Sequence, residues 1–413
     1  MLAKNFDPLV RARSLQDRPL GSSFVSFAQE LSDAGYAQVT AYIHTRAAEH
    51  LIYWVGREGV PIQSLDEPCV ERFYRHLSHC HCPDYNHSGK SRVLRGALMF
   101  LSHLRKTGQV NQAVAEVVDP ILLVAFRRWM HVERGTCETT LESYSRPIRD
   151  LLTRLGEDPG RFDAQSLRQF VVERSQRPGG GDVQRCVGAL RAFCCFLSAE
   201  GLCSRDLSAA VPTVARWRLS CLPRYLRPEE VERVIAACDL ESPVGRRDRA
   251  ILLLLARLGL RANDVAQLRL DDINWEEGWF AVCGKSRRPT QLPLSQEVGD
   301  ALARYLQEDR PQTDATAVFV RARAPFVALG SHCAVSLIVA RALRRAKVIR
   351  PGRGAAHLLR HGLATSLLRQ GASLQEIADI LRHRSVTTTQ IYAKVDVVAL
   401  QQMARPWPGA PSC

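Results

Sequence analysis

Two short segments and one tyrosine hold residue types that can do chemistry together. His357-Leu-Leu-Arg360-His361 reads as helical, so His357 and Arg360, three positions apart, share a face while Leu359, Leu363 and Leu367 pack on another. Leu381-Arg382-His383-Arg384-Ser385 adds a second imidazole, and Tyr392, the only tyrosine after Tyr305, follows nine residues beyond His383. An imidazole moves protons, a guanidinium holds an anion, and a phenol attacks once its proton is taken. Taken alone, the His357–Arg360 helix reads more readily as a solvated polar stripe than as a catalytic face.

The elements that must position these residues follow a long, separable chain. At 413 residues there is room for two or three domains. Ordinary globular composition, 46% hydrophobic and 24% charged, argues against wholesale disorder. Before residue 205 the sequence repeats itself. Gly35 and Thr40 open a helical run through Trp54, a helix follows near Val70 to Leu77, and a third runs from Arg92 to Lys106 around Gly96-Ala97-Leu98. Gly135 and Thr140 begin the same order again, with helices at Leu141 to Leu155 and Leu167 to Glu173 and a third around Gly188-Ala189-Leu190. Residues 20–110 and 115–205 are therefore predicted to be two copies of a small all-helical, SAM-like module. Trp54 and Phe193 are expected in their cores. Cys203 to Pro223 reads as a linker, and Arg227-Pro228-Glu229-Glu230 opens a helix with proline early and acids in its first turn. Residues 222–413 mix types: helices at Asp248 to Leu258, Val298 to Leu306, Val335 to Lys347, His357 to Arg369 and Ser373 to Leu381, with short strands starting at Leu268-Arg269-Leu270, Trp279 to Val282 and Gln291 to Leu294. The expected fold is mainly α, with an α+β C-terminal domain around a small sheet.

The net charge of +14 and a pI near 9.4 suit a polyanionic partner, because each phosphate neutralised by Lys or Arg releases counterions. Charge alone leaves a merely basic protein as an equal reading. Met1 to Ser23 has no signal-peptide core, and the longest aliphatic run, Ile251 to Ala256, is far short of a membrane span. A cytoplasmic, nucleoid-associated protein is expected, with no membrane contact. Cysteines such as Cys186, Cys194 and Cys238 sit among apolar residues as reduced core thiols do. His76, His79, Cys80, His81, Cys82 and His87 crowd together without two separated ligand pairs. They read as an exposed polar turn, metal being the lesser alternative.

The catalytic segments resemble the tyrosine recombinases, also called phage integrases. That family has an Arg early in its catalytic domain, a Lys in a β-turn, a His-x-x-Arg pair, a second His and a Tyr nine residues later. The matching residues are Arg261 in Leu258-Gly-Leu-Arg-Ala-Asn-Asp264, Lys285 in Gly284-Lys-Ser, His357 with Arg360, His383, and Tyr392, over about residues 222–400. The resemblance implies that Arg261 and Arg360 clamp a DNA phosphate, His357 takes the proton of Tyr392, Lys285 protonates the leaving 5′-oxygen and His383 donates to a phosphate oxygen. No metal or nucleotide cofactor is implied. Arg287 and Arg288 beside Lys285, and the acid-free run Arg341, Arg344, Arg345 and Lys347, are expected to contact the backbone of double-stranded DNA. Arg350 and Arg353 extend that run.

Assembly is expected to be a homotetramer on paired sites, with room for other recombinases of the same mobile element. The stretch Val397, Val398 and Leu400 before Pro406-Trp407-Pro408 reads as an anchoring tail. The sequence departs from the family in carrying Arg382 where Gly is common, which suggests a more basic loop, and in carrying two helical modules where one is usual. A topoisomerase or telomere-resolvase-like strand transferase and a non-enzymatic architectural DNA binder are the competing readings.

Overall fold

The computed structural model describes residues 6–395, apart from 18, 86–88, 112–118, 177–182, 204–206, 214–221, 284–288, 351, 353 and 384. The chain divides into two compact units, one of residues 111–218 and one combining 1–110 with 219–413. Among the described residues no helix is long and apolar enough to cross a membrane.

Residues 8–110 gather one apolar core from α1 (Pro8–Arg13), α2 (Gly21–Asp33), α3 (Gln38–Arg57), α4 (Glu67–His76) and α5 (Lys90–Lys106). Ala12 and Leu15 belong to it, so the core reaches upstream of residue 20. Asp66 caps α4 by accepting from the Cys69 amide at 2.8 Å. Gly96 lets α5 approach α3 closely: a Cβ there would lie 2.7 Å from that of Ala47.

Residues 111–218 repeat the plan with α6 (Ile121–Val132), α7 (Glu138–Leu155), α8 (Ala164–Ser175) and α9 (Val183–Ala199) around a second core. Asp163 caps α8 as Asp66 caps α4, and Gly188 faces Tyr144 on α7 as Gly96 faces His44 on α3. The repeat therefore includes α2 and α6, which the periodicity reading passed over. Trp54 and Phe193 are core residues, and Cys186, Cys194 and Cys238 are buried thiols in no disulfide.

A third core is built by α10 (Pro228–Ala236), α11 (Pro243–Arg257), α12 (Ala262–Gln267), the antiparallel strands β1 (Ile273–Asn274), β2 (Trp279–Cys283) and β3 (Pro289–Pro293), α13 (Gln296–Arg304), α14 (His332–Arg345) and α15 (Ala355–Arg369). The sheet is ordered β1-β2-β3, with Phe280 opposite both Ile273 and Leu292. Ile251 to Leu255 of α11 are wholly buried, each leucine or isoleucine being worth about 1.5–3 kcal/mol of apolar transfer. A smaller cluster joins α15 to α16 (Leu374–Ile380) and α17 (Gln390–Ala393) through Ala364, Ile377, Leu381 and Tyr392.

Two local expectations fail. Leu268 to Leu270 is not a strand: Arg269 makes an isolated bridge to Ala317 and a 3-10 turn follows, because Asp272 folds back to accept from the Arg269 amide at 2.8 Å. The His/Cys turn is not an exposed polar one either. His79 and His81 are exposed, but Cys80 and Cys82 are buried, because the turn packs back on α3.

Candidate active site

Four local structures bring the candidate residues together. The turn after α11 places Arg261 at the start of α12, and Gly259 makes that turn possible. Its φ of +57° is a left-handed value, and a Cβ on it would lie 2.7 Å from Leu381 and 3.0 Å from Leu363. The helix α15 carries His357, Arg360 and His361. The end of α16 carries Arg382 and His383, and α17 carries Tyr392.

Arg360 is buried while His357 is exposed, so the two do not share one solvated face. The Arg360 guanidinium donates to the Gly259 and Leu381 carbonyls, pinning the turn after α11 to the end of α16. Arg261 donates to the Arg382 carbonyl at 2.9 Å. Arg382 has φ +53°, the left-handed position that closes α16, with the His383 amide bonded back to Ala378 at 2.8 Å. That geometry gives a physical reason for glycine to suit this position. The Arg382 side chain turns inward rather than making the loop more basic, as its charge alone suggests: it donates to Asp264 at 3.1 Å, and its Nε and Nη1 are buried without a hydrogen-bond partner.

Asp264 thus serves three cations. It accepts from Arg382, also lies 3.9 Å from Arg261, and its charge reaches Arg360. Three guanidiniums around one carboxylate leave a local excess of two positive charges. Burial, with Arg261 and Arg382 beside it, accordingly pushes the Arg360 pKa down to about 9.

Tyr392 is 1% exposed, and its phenol oxygen lies 2.6 Å from Nδ1 of His361. Burial pushes the phenol up to about 12, against the pull of Arg360. Burial, then His357 and Arg360, push His361 down to about 4, so its imidazole is neutral near pH 7 and can accept the phenol proton. The described partner of the phenol is therefore His361 and not His357, whose ring centroid is 6.2 Å from that of His361. His383 Nδ1 lies 2.7 Å from the buried Thr389 hydroxyl, and burial, then Arg360 and Arg261, lower its pKa to about 4.

The structure thus gathers Arg261, Arg360, His383 and Tyr392 through shared partners and adds His361, Asp264 and Thr389, which the sequence reading did not assign. Two of these had a signal: His361 is four residues after His357 on one helix, and Asp264 stands at the third position of α12, within the quoted Arg261 motif. Lys285, Arg287 and Arg288 lie outside the described residues, as do Arg353 and the tail after Val395. Arg341, Arg344 and Lys347 are exposed on and just after α14. Arg345 is exposed as well, and its guanidinium also lies 3.6 Å from the buried Asp248.

Comparison with known proteins places this arrangement among relatives. Residues 224–398 match the family model described as "Phage integrase family". A putative integrase/recombinase, y4rA, of Sinorhizobium fredii is 34% identical over 395 residues, covering 95% of each chain. A tyrosine recombinase XerD of Lacticaseibacillus casei is 30% identical over 281 residues, 66% of this chain and 92% of XerD. Among solved structures, XerH bound to palindromic difH in a post-cleavage complex aligns with a TM-score of 0.55 at 18% identity, over 83% of this chain and 98% of that one. A lambda integrase (75–356) dimer bound to a core site gives 0.52 at 17%, over 66% of this chain and 93% of that one.

Proposed function

The chain belongs to the phage integrase family, the tyrosine recombinases, which cleave and rejoin DNA, and we propose that it does so as a site-specific recombinase with Tyr392 as the nucleophile. The observation that carries the assignment is a buried phenol 2.6 Å from a neutral imidazole, beside Arg360 and the two guanidiniums, Arg261 and Arg382, that share Asp264. The surplus charge suits the nonbridging oxygens of one phosphodiester.

In this reading a phosphate enters beside Arg261 and Arg360. Arg360 uses two of its five N–H groups on carbonyls, which leaves three for oxygens. His383 donates a further hydrogen bond. Tyr392 Oη gives its proton to an imidazole, His361 in the conformation seen, and attacks phosphorus. The phosphorus–O5′ bond breaks, the 5′-oxygen takes a proton from Lys285, and the 3′-phosphotyrosine keeps the energy of the broken bond for religation. Arg287, Arg288, Arg341, Arg344 and Lys347 would hold flanking phosphates of double-stranded DNA. Exchange between two duplexes breaks four strands, and one nucleophile per chain then calls for a homotetramer. The relatives named as integrases and recombinases favour this over the topoisomerase and telomere-resolvase readings, and a buried nucleophile with its acceptor disfavours a purely architectural role.

The test is covalent capture. A nicked substrate whose short cleaved fragment diffuses away should leave an SDS-resistant 3′ adduct in the presence of EDTA. Tyr392→Phe should bind the same DNA and form none. An adduct surviving in Tyr392→Phe, or one that needs a divalent metal, overturns the assignment.

A further inference from the structure

The first helical module holds a group of side chains that the strand-transfer chemistry does not use. His50 lies on α3, His76 ends α4, and Cys80 and Cys82 sit on the turn that follows. Cys80 Sγ is 3.4 Å from His50 Nε2, Cys82 Sγ is 3.4 Å from His76 Nε2, and the ligand atoms of all four lie within 4.8 Å of one another. His50, Cys80 and Cys82 are 2%, 6% and 4% exposed.

From these residues we propose a structural zinc site, Cys2His2, that ties α3 to α4 and to the turn between α4 and α5. The geometry is what a tetrahedral ion needs. With zinc–sulfur bonds near ~2.3 Å and zinc–nitrogen bonds near ~2.0–2.1 Å, a tetrahedral angle separates sulfur from nitrogen by about 3.6 Å and sulfur from sulfur by about 3.8 Å. The two sulfur–nitrogen pairs are within about 0.2 Å of that already. Two thiolates and two imidazoles select zinc over harder cations such as magnesium or calcium, and they neutralise its charge once two thiol protons leave.

The surroundings suit thiolate ligands. The Cys82 amide donates to Cys80 Sγ at 3.4 Å and the Arg57 guanidinium to Cys82 Sγ at 3.7 Å, while His50 is stacked on Tyr85 with centroids 4.2 Å apart. Four protein ligands leave no position for substrate, so the ion would brace the module and take no part in cleavage. The sequence concealed the site because one ligand, His50, stands 26 residues before His76. Only burial separates the ligands from the exposed His79 and His81.

The experiment measures zinc in the full-length protein purified under reducing conditions, together with the visible spectrum after cobalt exchange. About one zinc per chain is expected, and cobalt should give the intense d–d bands of a tetrahedral site with thiolate-to-cobalt charge transfer. Cys82→Ser should lower zinc at least tenfold, while Cys69→Ser, a buried thiol elsewhere in the same core, and His79→Ala should keep it. A zinc chelator should lower the unfolding temperature of the wild-type protein and leave that of Cys82→Ser where it is. Should Cys82→Ser fail to fold, the cobalt spectrum of the wild-type chain decides. Wild-type protein with under a tenth of an equivalent of zinc and no charge-transfer band overturns the proposal, as does zinc that survives in soluble Cys82→Ser.

Discussion

Tyr392 and His361 form a resting pair in which the phenol is held as an acid. A nucleophile whose pKa burial raises to about 12 keeps its proton beside the neutral His361 until a phosphate is there for its oxygen to attack. Replacing the acceptor separates two readings of the helix α15. His361→Gln should slow single-turnover adduct formation by about 10²–10⁴-fold if the contact seen is the catalytic one. His357→Gln should then slow it less. The opposite ranking would mean that His357 takes over when DNA binds and that His361 only stores the phenol. Quenched time courses on the nicked substrate, run at saturating DNA, measure both.

At the scale of elements, the site depends on how one turn and one helix end are closed. Gly259→Ala forces a side chain into a left-handed backbone position already crowded by Leu381 and Leu363, and should cost at least about 1–2 kcal/mol in denaturant unfolding. Arg382→Gly removes the corresponding backbone strain and also a half-satisfied buried cation. Stability should therefore change little, by about 1 kcal/mol or less. Asp264→Ala behaves differently, because it strips the carboxylate from three guanidiniums and from the Arg261 amide. Breaking a buried pair from one side costs about 3–5 kcal/mol. Bound DNA should recover part of that loss, since a phosphate restores an anion to the same cations. Urea midpoints with and without a duplex site would show it, and equal losses in Asp264→Ala and Arg382→Gly would refute this account of the site.

For the molecule as a whole, the repeat predicts a longer footprint on DNA, and the ion pairs limit how much the first copy can add. Of the four basic residues on α5 singled out from the sequence, Arg105 is paired with Glu67 and Lys106 with Glu30, whereas Arg92 and Arg95 are exposed. Deleting residues 1–110 should thus lower the salt slope of binding by about 1.8, two contacts at about 0.9 each, and not by twice that. Binding titrations across a salt series test it, and an unchanged slope would assign the first copy to protein contacts. Acid should weaken the fold through buried imidazoles. His44, His361 and His383 are each lowered from 6.5 to about 4, mainly by burial. The unfolded chain therefore takes up protons first. Stability is complete above pH 6.5 and is lost as pH falls toward about 4, a decline visible in melting temperature and shallower in His361→Gln.

How much was legible in advance follows from the range over which each interaction acts. Order and spacing along the chain pointed to Arg261, the His357-to-Arg360 helix, His383 and Tyr392, because a motif records residue types at fixed separations. Helical periodicity and the Gly-Ala-Leu repeat pointed to paired modules, because those signals lie within single helices or between neighbouring ones. Polarity misled at three places, since a side chain's exposure is set by what packs over it. Arg360 is charged yet buried, and Arg382 is charged yet turned inward, being paid for by carbonyls and by Asp264. Cys80 and Cys82 are buried by a helix that passes 30 residues earlier. Which imidazole meets the phenol was likewise beyond one-dimensional reading: His357 and His361 differ by about one turn of α15, and only the path of α17 across that helix brings Tyr392 to the second.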